Sequence, residues 1–167
     1  KILICGASGF IGRNLLDNFT RDRHFSEEEF EVKAVWHKNA SITELYRDVE
    51  WVHADLTNSK DVKRVITSDV DVILQYAAVT YGAKDIISKP YVHVTDNAVM
   101  NSIIFETVFK CKTKHFIFLS CSVMYHVSKN ALKEIDFDSS KKIYPSYFGG
   151  AWNKVYFEKM CEFYSRI

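Results

Sequence analysis

The sequence predicts an α/β fold: a doubly wound parallel sheet with strand order 3-2-1-4-5 and helices on both faces. Three observations carry that prediction. The chain opens on an apolar run, Lys1–Cys5, that passes directly into three evenly spaced glycines, Gly6-Ala-Ser-Gly9-Phe-Ile-Gly12. Short apolar runs then alternate with longer segments of helical periodicity through all 167 residues, and strands separated by helices are joined by crossovers and run parallel. No internal repeat or low-complexity linker interrupts the alternation, and only two prolines occur. A sheet wound in this order opens its ligand crevice above strands one and four, where the winding reverses.

The opening reads as strand, glycine turn, helix, the helix carrying Phe10, Ile11, Leu15, Leu16 and Phe19 at helical spacing. Gly6 permits a tight turn at the strand end. Gly9 leaves no side chain between a pyrophosphate and the backbone, and Gly12 lets the helix pack closely on the strand. Unpaired N–H groups and the positive end of the helix dipole face the anion. The spacing is G-x-x-G-x-x-G rather than G-x-G-x-x-G, and its position directly after a strand makes it specific. Gly6, Ser8, Gly9, Phe10, Ile11, Gly12 and Arg13 are the candidate phosphate-binding set.

After a polar stretch, Arg21–Glu29, a second strand is predicted over Phe30–Trp36 and a short helix over Ile42–Arg47. Glu50–His53 reads as a brief third strand, and Asn58–Ile66 as a helix capped by Asn58 or Thr57. Val70–Gln75 is the fourth strand, ending in Tyr76-Ala77-Ala78. A long helix follows over Pro90–Lys110, then a fifth strand over Lys114–Leu119. Ser120–Pro145 is predicted as mostly loop and Ser146–Ile167 as the last helix. The aromatic spacing in that helix (Trp152, Tyr156, Phe157, Phe163, Tyr164) reads as a packing face.

The bulk numbers narrow the function classes. Hydrophobic content of 47% and charged content of 26% are globular values, and one domain over 1–167 is expected. Net charge of +1 gives no electrostatic case for nucleic acid or an anionic membrane. No apolar run approaches the roughly 20 residues of a membrane span, and no signal peptide is visible. Four cysteines, Cys5, Cys111, Cys121 and Cys161, have no framework spacing, so a reduced, cytoplasmic setting is the expectation. Six scattered histidines form no metal-ligand cluster.

The glycine loop, Asp55-Leu56, Tyr76-Ala77-Ala78, Asn97, Ser120–Tyr125 and Lys154 with Glu158 together resemble the extended short-chain dehydrogenase/reductases that act on nucleotide sugars, the NAD(P)-dependent epimerase/dehydratase group. KPYVHVTDNAVMNSIIFET and SCSVMY resemble its GDP-fucose synthase-like members, which epimerise and reduce a 4-keto-6-deoxy sugar nucleotide. The resemblance implies a Rossmann-type domain, a nucleotide-sugar substrate, and a homodimer through the two long helices. It also implies that Asp55 and Leu56 meet the adenine, the alternative for Asp55 being a helix cap. Ala77 and Ala78 would underlie the cofactor ribose and pyrophosphate, and Asn97 would hold backbone geometry near the active site. Tyr81, Lys84 and Asp85 are candidates for the substrate cleft. Members of the family usually continue for another half-chain, so the C-terminal substrate lobe is expected to be absent and the chain to be the first part of a longer enzyme.

Strand two ends at Trp36-His37-Lys38, without the carboxylate that grips an NAD ribose. His37, Lys38 and Arg13 can instead meet a 2′-phosphate, so NADP is expected over NAD. The family's catalytic set is a Ser or Thr with Tyr-x-x-x-Lys. Lys154 fits the lysine, but four residues before it stands Gly150. Tyr147, two turns before Lys154, is the acid/base candidate if Gly149-Gly150 break the helix and fold it back; otherwise it is structural. The hydroxyl position falls on Cys121, flanked by Ser120 and Ser122. Ser122 or Ser120, or Cys121 itself as a weak donor, would position the substrate oxygen, and Lys154 would also bind the nicotinamide ribose.

Overall fold

The computed structural model describes residues 1–21, 30–47, 49–80, 88–89 and 91–167. Tyr81, Lys84 and Asp85, and the polar residues 22–29, lie outside the described residues. Five parallel strands form one sheet: β1 (Ile2–Cys5), β2 (Val32–Trp36), β3 (Glu50–His53), β4 (Val72–Gln75) and β5 (His115–Phe118), in the order β3-β2-β1-β4-β5. This is the predicted Rossmann-type winding. β1 lies at the centre, with Ile4 opposite Ala34 on one side and Leu74 on the other. Leu3, Ile4 and Cys5 are fully buried, which is why this strand reads as a continuous apolar run rather than an alternation.

The register assigns the two faces of the sheet. Ile4, Ala34 and Leu74 pack with Leu16 of α1 (Phe10–Arg21) in one core cluster. On the opposite face, Phe105 of α3 (Val92–Lys110) stands edge-on to Phe116 and Phe118, with ring centroids 4.8 and 5.5 Å apart. Side chains of this size each contribute about 1.5–3 kcal/mol on burial. Between β3 and β4 runs α2 (Ser59–Val65). Its cap is Asn58, whose side chain accepts from the Lys60 N–H at 2.9 Å. The short helix expected over Ile42–Arg47 is instead a 3₁₀ turn, Ala40–Glu44, pinned by buried Ile42. Thr43 Oγ1 bonds back to the Ala40 carbonyl there at 2.9 Å, a competing bond of the kind that shortens helices.

The described residues fall into two compact units: Lys1–Ala78 with Ser102–Leu119, and Val79–Asn101 with Ser120–Ile167. The second unit is built on α4 (Phe148–Tyr164) and three short 3₁₀ turns, Ser122–Met124, Glu134–Asp136 and Pro145–Tyr147. Its core is Met124, Ile143, Ala151 and Val155, with Cys121, Tyr125, Phe137 and Trp152 packed against it. Asn153 Nδ2 donates to the Val94 carbonyl at 2.8 Å, tying α4 to the start of α3.

The helix break at Gly149-Gly150 that would fold Tyr147 back towards Lys154 does not occur. α4 runs unbroken from Phe148. Gly149 is there for space: a Cβ on it would lie 2.6 Å from Val94 Cγ2. A Cβ on Gly150 would meet nothing within 4 Å.

Candidate functional site

In the first unit, β1 delivers the chain into a turn that only glycine can make. Gly6 has φ of +76°, and a Cβ there would stand 2.6 Å from the Ala77 N. Gln75, buried at the end of β4, donates from Nε2 to the Ala77 carbonyl at 3.2 Å and holds that strand end in place. The turn closes through Gly9 N–H to Gly6 O at 3.0 Å, and α1 starts with Arg13 N–H on Gly9 O at 3.0 Å. A Cβ on Gly12 would lie 2.5 Å from Gly6 O and 2.6 Å from Ala7 Cα, so helix and strand meet backbone to backbone. Gly9, Phe10 and Ile11 are exposed at the head of the helix. The first N–H groups of any helix have no intrahelical acceptor. Bare amides at a helix head and two glycines whose absent side chains keep the turn compact form a cradle that fits a dinucleotide's pyrophosphate.

The strand ends beside β1 build the other corner. Trp36 pairs with His53 in the β2–β3 register, and their rings lie 4.5 Å apart. His53 Nε2 is 3.1 Å from the His37 carbonyl, a contact that requires the ring to donate. Asp55 Oδ1 accepts from both the N–H and the hydroxyl of Thr57, at 2.9 and 2.7 Å. Those bonds hold its carboxyl below the usual carboxylate range. Its other oxygen, Oδ2, lies 3.9 Å from His37 Nε2. Asp55 is thus a local turn cap through one oxygen and presents the second outward. The Leu56 side chain is buried, so what it offers a ligand is main chain. His37 and Lys38 are exposed, as is Arg13. His53 and Arg64 were not singled out by the sequence. Arg64 Nη2 donates to the His53 carbonyl at 2.7 Å and to Asp61 at 3.0 Å. The signal that finds them is register, since His53 is the β3 residue level with Trp36.

The second unit holds the residues of the catalytic pattern. Asn97 clamps Val79: its Oδ1 accepts the Val79 N–H and its Nδ2 donates to the Val79 carbonyl, both at 2.8 Å. A third bond, to the His93 carbonyl, fixes the amide on its own helix. Lys154 is largely removed from water. Burial pushes its ammonium below the ordinary lysine value, and Cys121 and Glu158 pull it back up. Burial raises the Cys121 thiol, against the lowering field of Lys154. Cys121, Ser122, Tyr125 and Glu158 line one cavity of about 870 Å³. Burial also raises the Tyr125 phenol, with Glu134 and Glu158 adding to the shift.

Tyr147 caps α4 and lies against Tyr144, ring centroids 5.7 Å apart. With the helix unbroken, seven residues separate it from Lys154 by about 10 Å along the axis. No group of three or more His, Cys, Asp or Glu side chains suited to a metal occurs among the described residues, and no described helix is long and apolar enough to cross a membrane.

A five-stranded 3-2-1-4-5 sheet with a glycine cradle at the β1 end defines a Rossmann-type dinucleotide-binding protein. The family model of the NAD dependent epimerase/dehydratase family matches residues 2–166, and the chain belongs to that family. The expected nicotinamide dinucleotide is the cofactor for which the family is named. No curated protein matches the chain.

Among solved structures it is similar to a GDP-D-glycero-L-gluco-heptose synthase from Campylobacter jejuni determined in the presence of NADPH. That likeness has 21% identity, 98% of this chain, 43% of that chain and a TM-score of 0.75. It is also similar to the UDP-Glc/GlcNAc 4-epimerase of Campylobacter jejuni, at 19% identity, 99% of this chain, 49% of that chain and a TM-score of 0.79. A third is a dTDP-glucose 4,6-dehydratase from Streptomyces venezuelae with NAD bound, at 16% identity, 99% of this chain, 52% of that chain and a TM-score of 0.79. At these identities the likeness is one of fold. The chain spans about half the length of these structures.

Proposed function

We propose that this chain is the cofactor-holding part of an NADP(H)-dependent oxidoreductase or epimerase acting on a nucleotide sugar of the 4-keto-6-deoxy hexose type. The observation that carries the reading is the cradle of Gly6 and Gly12, where added side chains would strike backbone atoms. Family membership and the nucleotide-sugar activities of the structural neighbours support the substrate class. The bound nicotinamide supplies a carbon that gives or accepts a hydride. The chain's own residues bind and orient. Amides of Phe10, Ile11 and Gly12 meet the pyrophosphate, and Asp55 Oδ2 accepts from the adenine amino group. His37, Lys38 and Arg13 favour a 2′-phosphate. Lys154 holds the nicotinamide ribose with a desolvated ammonium, and Ser122 or Cys121 positions the sugar oxygen. Tyr147 is the acid/base candidate only if the start of α4 unwinds and brings it back towards Lys154. Exposed Val99 and Phe109 on α3, and Tyr156 and Phe163 on α4, support a homodimer through these helices.

A second reading is a dinucleotide-binding module without turnover. It is favoured by Gly150, which leaves the face of α4 one turn before Lys154 without a phenol. One experiment separates the possibilities. NADPH is titrated by fluorescence into the wild type, Gly12→Ala and Gly150→Tyr, and hydride transfer is followed at 340 nm with a 4-keto sugar nucleotide. The expectation is micromolar NADPH binding that Gly12→Ala weakens at least tenfold. Turnover in the wild type that Tyr147→Phe abolishes supports the first reading. Turnover appearing only in Gly150→Tyr supports the second. No NADPH or NADH binding by the wild type overturns both.

A further inference from the structure

We infer that the cavity beside Cys121 and Ser122 selects a sugar ring that bears no carboxylate, with Glu158 and Glu134 as the specificity determinants. The inference rests on the nucleotide-sugar reading above, in which Ser122 or Cys121 positions a sugar oxygen.

The cavity lies within the second unit. Its volume of about 870 Å³ is in the range that holds a small-molecule ligand. The loop after β5 brings Cys121, Ser122 and Tyr125 to it, and α4 brings Glu158. Ser128, Asn130 and Glu134 add exposed polar groups to the lining. Hydroxyls and an amide both donate and accept, whereas carboxylates only accept. A ring of sugar hydroxyls satisfies such a lining, because it donates to the carboxylates and exchanges hydrogen bonds with the rest. A carboxylate on the ring brings no proton to give.

The charges around the cavity also act against an anion. Glu158 is half-buried, so solvent screens it less than exposed Glu134. The basic groups of the described lining are Lys133 and His126. Lys133 is exposed, and its main-chain N–H donates to Asp136 Oδ2 at 2.7 Å, which brings a third carboxylate close by. The field of His126 reaches Asp138, whose carboxyl is held low first by its bonds from Ser140. Lys154 stands one turn before Glu158 on α4 and feels it, but is not among the described lining residues. The Tyr125 phenol reports the balance at the wall. Burial raises it first, and Glu134, Glu158 and Asp136 raise it further. A phenol kept protonated donates to a neutral sugar oxygen. A sugar carboxylate in the same place meets the repulsion that the phenolate would meet.

The test uses sugar nucleotides that differ only at carbon six of the sugar: UDP-glucose against UDP-glucuronate, and GDP-mannose against GDP-mannuronate. Dissociation constants are measured by calorimetry, with NADPH present, for the wild type, Glu158→Gln and Glu134→Gln. In the pair that binds, the neutral sugar is expected to bind at least tenfold tighter than its uronate, a difference of about 1.4 kcal/mol. Salt at about 0.5 M is expected to narrow that gap. Glu158→Gln is expected to bring the uronate to within about threefold of the neutral sugar, and Glu134→Gln to have a smaller effect because its charge is better screened. Equal affinities within the pair, a tighter uronate, or a gap that Glu158→Gln leaves unchanged overturns the assignment while the nucleotide-sugar reading stands. If none of the four sugar nucleotides binds, the nucleotide-sugar reading falls and this inference with it.

Discussion

Asp55 shows how one side chain can satisfy two readings that a sequence cannot separate. Its Oδ1 is a turn cap on Thr57, and its Oδ2 is presented outward. The two roles come apart on substitution. Asp55→Ala removes both and is expected to cost about 1 kcal/mol of stability, the usual effect of losing such a cap, together with dinucleotide affinity. Asp55→Asn keeps an oxygen for Thr57, so it is expected to retain most of the stability while still weakening NADPH. Urea unfolding paired with NADPH titration of both variants checks this; equal stability loss in the two would show that charge, not the cap, holds the turn. Asp55, His37, Lys38 and the three glycines stand out in the sequence as candidates because each carries its chemistry in its own type and position. His53 and Arg64 were not, because nothing near them in the chain marks them. Their roles arise from strand register and from a carbonyl and a carboxylate reached across the fold.

At the level of elements, the strands lie within two residues of their predicted ends, since apolar runs bounded by glycine and polar residues are local signals. The last helix forms where it is expected, and it passes through both adjacent glycines, so the break on which the acid/base reading of Tyr147 depends is absent. Glycine lowers the cost of leaving a helix but does not enforce it, and here Val94 packs against Gly149 while Asn153 anchors the next turn on the Val94 carbonyl. The two glycines therefore respond oppositely to a methyl group. Gly150→Ala is expected to stabilise the protein by about 0.5–1 kcal/mol, the helix propensity gained in open space. Gly149→Ala gains the same propensity but must displace a stiff β-branched neighbour, and is expected to be neutral to destabilising by about 1 kcal/mol. Thermal unfolding of the two variants decides it, and an equal response would mean that the Val94 contact yields freely.

Across the whole molecule, buried titratable groups shape the response of stability to pH. Burial raises Cys5 to about 12 and Cys161 to about 11, and raises Cys121 as well. An unfolded chain gives up thiol protons from about pH 8.5, while the folded chain keeps them. The folded state then binds more protons, so stability falls as pH rises above that point. Lys154 acts in the opposite sense. Its pKa is lowered by burial, so the folded state releases that proton first and stability rises with pH below the ordinary lysine value. Three thiols against one ammonium predict a net decline, read as a falling urea midpoint from pH 8 to pH 10. The decline is expected to be shallower in Cys5→Ala and steeper in Lys154→Met. A midpoint that is flat or rises over that range would count against this assignment.

The order of the sheet, its parallel sense and the glycine turn after β1 could be read from residues alone. Each follows from short-range rules, alternation of apolar runs and the spacing of three glycines along twelve residues, that hold wherever the chain goes next. Which oxygen of Asp55 is spent, whether α4 breaks, how far Tyr147 stands from Lys154, and what surrounds His37 were settled by folding. Each depends on atoms brought together from distant parts of the chain, and packing between them outweighs the fraction of a kilocalorie that local preference contributes.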